Sequence, residues 1–64
     1  MTNRQIARNV KEFRRIRQGW FDILARNGDS VGAAQHILSI NCKIELLLSM
    51  WNWSDESVDY PHEK

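Results

Sequence analysis

Two amphipathic segments of nearly equal length, separated by only four residues, constrain this 64-residue chain more than any other feature. Apolar residues recur every three or four positions over residues 3–26 and again over 31–52, which is the period of an α-helix. Helices of about 22 residues joined by the short connection Asn27–Ser30 have little choice but to fold back on each other. The sequence therefore predicts an all-α antiparallel two-helix hairpin over residues 1–53.

Side chains at the ends of the two segments agree with these boundaries. Thr2 and Gln5 have the Thr-x-x-Gln spacing of a capping box, in which each side chain bonds to the backbone N–H of the other residue. At the far end, Gly28 is suited to the left-handed conformation that commonly terminates helices. Asp29 or Ser30 is predicted to cap the second helix, because short polar side chains accept hydrogen bonds from its first N–H groups.

The apolar residues also predict which positions meet across the hairpin. Five layers align when the chain is folded at the turn: Leu24 with Ala33, Trp20 with Ile37, Phe13 with Ile44, Val10 with Leu47, and Ile6 with Trp51. In a further layer Arg17 faces Ile40. Two alternatives are open for Arg17: it points outward to solvent while Ile16 turns inward, or it stays between the helices as a polar residue that fixes their register.

The second segment carries another apolar face, which a single neighbouring helix cannot cover. This face lies opposite the first apolar stripe, and its residues are Val31, Leu38, Cys42, Leu46 and Trp53. A helix that is apolar on most sides is normally buried. A chain this short has a small core, and its single cysteine excludes an internal disulfide. We therefore expect these residues to form an interface with a second copy, giving a homodimeric four-helix bundle.

The C-terminal residues differ in composition from the two helices. Residues 54–64 are polar and mainly acidic, and Pro61 cannot continue a helix. Terminal segments of this kind are commonly poorly ordered unless something ties them down. The sequence therefore predicts a flexible acidic tail that folding does not require.

The first helix carries a basic face on the side away from its apolar stripe. The members of this face fall within about 60° of one another on a helical wheel, and they are Arg4, Arg8, Lys11 and Arg15. Arginine presents a planar fork that matches carboxylates and phosphates. Three interpretations are open: a solvated outer surface, a site for an acidic protein partner, or a site for nucleic acid, whose binding releases counterions.

No pattern in the sequence indicates an enzyme, a metal site or a cofactor. The two histidines and one cysteine lack zinc-site spacing, and no nucleophile, base and orienting group can be placed around a pocket. The most apolar run, Ile44–Trp53, is shorter than the roughly 20 residues that span a bilayer. We expect a cytoplasmic, non-enzymatic regulatory protein that dimerises and binds another protein. Nucleic-acid binding and a structural role in a larger assembly are the alternatives.

Overall fold

The computed structural model describes residues 1–28 and 32–63, and these residues form two helices that pack against each other. Helix α1 spans Asn3–Asn27 and helix α2 spans Ala33–Ser49. The molecule is elongated, with extents of 43 × 17 × 15 Å. The all-helical two-helix hairpin predicted from the sequence is therefore confirmed.

Helix α1 begins with the predicted capping box and ends at the predicted glycine, although not in the predicted left-handed conformation. The backbone N–H of Gln5 donates to the Thr2 hydroxyl at 3.2 Å, and the backbone N–H of Thr2 donates to the side-chain carbonyl of Gln5 at 2.9 Å. At the other end Gly28 has a φ of 63° with a ψ of −149°, and its N–H donates to the Leu24 carbonyl at 2.9 Å. Glycine adopts this positive φ at little cost. Local sequence thus fixes both ends of α1.

Helix α2 begins later than the sequence predicts. Its N-cap position is Gly32, which has a left-handed conformation with a φ of 70° and provides no side-chain cap. The predicted capping residues, Asp29 and Ser30, lie outside the described residues and do not occupy this position. The glycine conformation, rather than a side-chain hydrogen bond, therefore marks the start of α2.

The end of α2 is set by a contact with the start of α1. The N–H groups of Met50 and Trp51 donate to carbonyls three residues back, each at 3.1 Å, which is a 3₁₀ turn. The N–H of Asn52 then donates to Asn3 Oδ1 at 2.9 Å, and its carbonyl accepts from Asn3 Nδ2 at 2.8 Å. The buried Asn3 amide thus replaces the next helical turn. This is why α2 stops before residue 52, the predicted end.

We expect Asn3→Ala to lower the free energy of unfolding by about 1–2 kcal/mol, because the Asn52 N–H loses its acceptor and the Asn52 carbonyl keeps only the Asp55 N–H. Chemical denaturation measures this loss. The control is Asn9→Ala, a half-buried asparagine of the same helix whose side chain makes no hydrogen bond among the described residues. Equal destabilisation by the two substitutions would contradict a specific role for the Asn3 amide.

Two side-chain contacts between the helices lie within one residue of the predicted layers. The Trp20 ring stacks on His36 with centroids 4.1 Å apart and planes 4° apart, one residue before the predicted partner of Trp20. Nearer the open end, the Lys43 ammonium lies 5.8 Å from the centroid of Phe13, again one residue before the predicted partner. The antiparallel alignment expected from the apolar layers is therefore present along the hairpin.

The core follows the apolar stripe of each helix. Ile6, Val10 and Ala33 are fully buried. The buried apolar residues are four apart in α1 and three or four apart in α2, with Trp51 following beyond the end of α2, and the set is Ile6, Val10, Ala33, Ile37, Ile40, Ile44 and Trp51. Phe13, Trp20 and Leu47, which belong to the predicted layers, pack against this core at partial exposure.

Residues 54–63 pack against the hairpin, which differs from the free tail that their composition predicts. Val58 and Tyr60 are half-buried and pack on the core. The Tyr60 ring meets Trp51 edge to face with centroids 5.3 Å apart, and Trp53 stacks on the same ring at 4.9 Å. Such aromatic pairs contribute about 0.5–1.5 kcal/mol each beyond the area they bury. These few apolar and aromatic contacts hold an otherwise polar segment on the helices.

Candidate interaction surfaces

The basic face predicted on α1 lies on the surface of the protein. Arg4, Arg8, Lys11 and Arg15 are all exposed, along about 17 Å of helix from residue 4 to residue 15. Arg15 Nη2 lies 2.7 Å from Glu12 Oε1, but both side chains are more than half exposed. Such a pair stabilises the fold by about 0–1 kcal/mol. Among the described residues, the ion pairs involve neither Arg8 nor Lys11, so these two bases can contact a partner.

The charge of Arg4 is partly offset by the beginning of the C-terminal segment. The pKa of Asp55 lies below its ordinary value because the Ser57 hydroxyl and the Ser57 N–H donate to its carboxylate, at 2.6 and 2.9 Å. The positive charge of Arg4 lowers this pKa further. Asp55 is therefore ionised at neutral pH, close to one end of the basic face. The most positive part of the basic face is consequently at Arg8 and Lys11.

The apolar residues predicted to form an interface lie on the surface of the single chain. Leu38 and Leu46 are 65% and 66% exposed, and Trp53 is 71% exposed. Cys42 is also exposed, whereas Val31 lies outside the described residues. Residues 1–28 and 32–63 leave most of the surface of Leu38, Leu46 and Trp53 uncovered, so these positions are available to a second molecule.

Met50 belongs to the same surface, although the sequence pattern did not include it. Leu38, Cys42, Leu46 and Met50 follow one another at intervals of four residues, which places them along one ridge of the helix. The ridge is about 18 Å long by helical rise. Together with Trp53 these four residues are called the α2 face below. An exposed apolar ridge of this length is uncommon on a monomeric protein and typically marks a contact with another molecule.

Arg17 lies between the helices, so its predicted outward orientation is wrong. Its side chain is only 14% exposed, whereas Ile16 is 42% exposed and does not turn inward. Arg17 Nη1 donates to Asn41 Oδ1 at 2.6 Å, and Nη2 donates to the Glu63 carboxylate. The alternative, a polar residue held between the helices, describes Arg17 correctly, because two polar partners meet its guanidinium there.

Arg14 contacts the same part of the C-terminal segment, and sequence reasoning missed this site. Arg14 Nη1 donates to the Pro61 carbonyl at 2.6 Å and to the His62 carbonyl at 3.4 Å. Its Nε is buried and has no hydrogen-bond acceptor among the described residues. A groove of about 330 Å³ opens beside it, and Glu63 of the C-terminal segment lines it together with residues of the two helices, which are Arg14, Arg17, Asn41, Ile44, Glu45 and Leu48. We call this site the Arg14–Arg17 groove.

Neither metal ligation nor a known relative identifies a function. Within residues 1–28 and 32–63, no three side chains of the metal-ligating types come together. Neither helix in this part of the chain has the length and apolar character needed to cross a bilayer. No protein-family model matches the chain, and comparisons with curated proteins and with solved structures give no match either. The function is therefore argued from the three surfaces described above.

Proposed function

We propose that this chain is a non-enzymatic, cytoplasmic interaction protein that pairs with a second copy through the α2 face and binds an acidic protein partner. The exposure of the α2 face carries the first half of this proposal. Burying one leucine side chain contributes about 1.5–3 kcal/mol, so covering the face is favourable. A second copy brings an identical face and can form a two-fold interface, in which the two hairpins make a four-helix bundle.

The basic face supports the second half of the proposal. Its bases project from the side of α1 opposite the core, so neither hairpin packing nor pairing through α2 uses them. A dimer presents two such faces. Arginine forks suit carboxylates as well as phosphates, but Phe13, the aromatic residue between Arg4 and Arg15, packs on the core. Base stacking of the kind found in single-strand binding is therefore unavailable on this face, which favours an acidic protein.

We expect the double substitution Arg8→Glu and Arg15→Glu to reduce binding of a fluorescent polyglutamate peptide at least tenfold, because both altered side chains are exposed and reverse their charge. Helical circular dichroism should stay unchanged. The probe is measured by fluorescence anisotropy at low salt. Arg8→Glu and Lys43→Glu are also measured singly as a matched pair, because they change the net charge equally and only Arg8 belongs to the basic face. Equal losses in these two single variants, or no loss in the double variant, would contradict the proposed role of the basic face.

Nucleic-acid binding is the second candidate, because the same bases would be doubled in a dimer. Each neutralised phosphate contributes about −0.9 to the slope of log K against log salt. If all four bases of both copies contacted phosphates, the slope would approach about −7 for a duplex. If a duplex probe binds more tightly than polyglutamate and shows a slope of this steepness, the partner is nucleic acid rather than an acidic protein. Failure of both probes would leave the third alternative, a subunit whose role is structural.

A further inference from the structure

The C-terminal segment lies along the hairpin in the way that a bound peptide would. Its contacts begin where Asn3 Nδ2 donates to the Asp55 carbonyl at 3.5 Å, and they continue in the direction of α1 to Arg14 at Pro61 and Arg17 at Glu63. The part from residue 58 onward is not helical. It is held by one aromatic ring on the core, by two backbone carbonyls on Arg14 and by one carboxylate on Arg17. Aromatic, main-chain and acidic contacts of this kind are those by which grooves recognise peptides.

The Arg14–Arg17 groove is only partly satisfied by this segment. Arg14 is met by neutral carbonyl oxygens, and its buried Nε has no acceptor among the described residues. Glu63, which bonds to Arg17, is itself 57% exposed. Glu45 and Glu63 balance the charges of Arg14 and Arg17 in the groove, so displacing Glu63 would leave one positive charge in excess. An incoming peptide must therefore supply a carboxylate in place of Glu63, and the open volume and the unused Nε of Arg14 offer it a further hydrogen bond.

We propose that the Arg14–Arg17 groove is a binding site for an acidic peptide of a partner protein, in which a carboxylate follows an aromatic residue by three positions. Residues 58–63 occupy this site in the free chain, with Tyr60 as the aromatic residue and Glu63 as the carboxylate. The segment acts as a competitor at an effective concentration of about a millimolar, as expected for a short linker. A partner peptide must bind the groove tightly enough to displace the internal segment, so the segment sets the lowest affinity at which a peptide can bind.

This inference does not depend on pairing through α2 or on the basic face. The groove is lined by Asn41, Ile44 and Leu48, whereas the α2 face follows Leu38 and Leu46 on another side of the helix. Its two arginines are also distinct from the four bases of the basic face. The groove can therefore be tested in variants that leave the other two surfaces intact, and its failure would be distinguishable from theirs.

The test uses a fluorescent peptide with the sequence of residues 57–63, Ser-Val-Asp-Tyr-Pro-His-Glu, added to the full-length chain. We expect the double variant Tyr60→Ser and Glu63→Gln, which weakens the internal competitor, to bind this peptide about tenfold more tightly than the unaltered chain. Adding Arg17→Gln to that variant should reduce its affinity at least tenfold. Adding Lys43→Gln instead removes an equal charge from α2, outside both the groove and the basic face, and it should change the affinity less than twofold.

Circular dichroism establishes that each variant is folded before binding is measured. If the double variant loses helicity, Glu63→Gln alone is used, and it should still bind the peptide about threefold more tightly than the unaltered chain. A scrambled peptide of the same composition should bind at least tenfold more weakly. The proposal is overturned if the opened chain fails to bind at millimolar peptide, if the scrambled peptide binds equally, or if Arg17→Gln and Lys43→Gln have equal effects. Two copies could also exchange their C-terminal segments, which would appear as dimers that the free peptide dissociates. In that case the occupant of the groove is a second copy of this chain and not a partner peptide.

Discussion

Replacing Leu46 with aspartate is expected to halve the solution mass of the protein while its helical circular dichroism persists. Leu46 lies near the middle of the ridge on the α2 face and is 66% exposed in the single chain. An aspartate there meets water when the chain is alone, but it meets apolar side chains when two copies pair. A charge placed in apolar surroundings without a partner is strongly unfavourable. The substitution therefore acts on association rather than on the hairpin.

The size of this effect follows from the two-fold arrangement proposed for the pair. Each copy contributes one Leu46, so a dimer loses two buried leucines, or about 3–6 kcal/mol. That loss corresponds to a roughly hundredfold to ten-thousandfold weaker association. Analytical ultracentrifugation over a range of concentrations measures the change directly.

Ile16→Asp is the matched control for Leu46→Asp. Ile16 is also an exposed apolar residue of a helix, at 42%, but it lies on α1 and outside the α2 face. The control should keep the mass of the unaltered protein. If Leu46→Asp also kept the original mass and melting temperature, the α2 face would not be an interface. That result would contradict the proposed dimer.

The helices and their register could be predicted because local chemistry determines them. The capping box needs only Thr2 and Gln5, which are three residues apart, and the end of α1 needs only a glycine. Apolar spacing then fixes which sides meet, and the stacking of Trp20 on His36 lies within one residue of the layer expected from that spacing. Features that depend on neighbours along the chain are therefore readable from the sequence.

The Arg14–Arg17 groove could not be predicted because its partners are distant along the chain. Arg17 stays inside because Asn41 and Glu63, 24 and 46 positions away, both meet its guanidinium. Periodicity shows which side of a helix a residue occupies, but it does not show what a long side chain meets there. Without those partners, exposure to solvent is the ordinary outcome for such an arginine. The position of Arg17 therefore follows from the tertiary fold.

The packing of the C-terminal segment escaped prediction for a related reason. Only Val58 and Tyr60 reach the core from this polar stretch, and two residues do not make a periodic pattern. Acidic composition and Pro61 describe a segment that forms no helix, and the structure agrees with that. They say nothing about whether an aromatic ring finds a partner, which here depends on Trp51 at the end of α2. The exposed surfaces, by contrast, were visible in the sequence as residues that the core does not use.

Replacing Trp51 with alanine is expected to leave the protein largely unfolded at room temperature. Trp51 is only 7% exposed and belongs to the same core cluster as Ile6 and Val10. It also receives Tyr60 edge to face, so its loss removes the main aromatic contact of the C-terminal segment with the core. Truncating a buried tryptophan to alanine costs about 3–5 kcal/mol. A chain of this size has a total stability of about the same magnitude, so little remains.

The neighbouring tryptophan provides the control that separates core from surface. Trp53 is 71% exposed. Its ring stacks on Tyr60, but most of its surface meets solvent. Trp53→Ala should therefore lower the stability of the single chain by less than about 1.5 kcal/mol, while weakening the association that Leu46→Asp abolishes. Thermal and urea unfolding followed by circular dichroism measure the first effect, and sedimentation measures the second. Equal melting curves for the two alanine variants would show that Trp51 does not stabilise the core. The contact between Tyr60 and Trp51 would then not explain why the C-terminal segment packs on the helices.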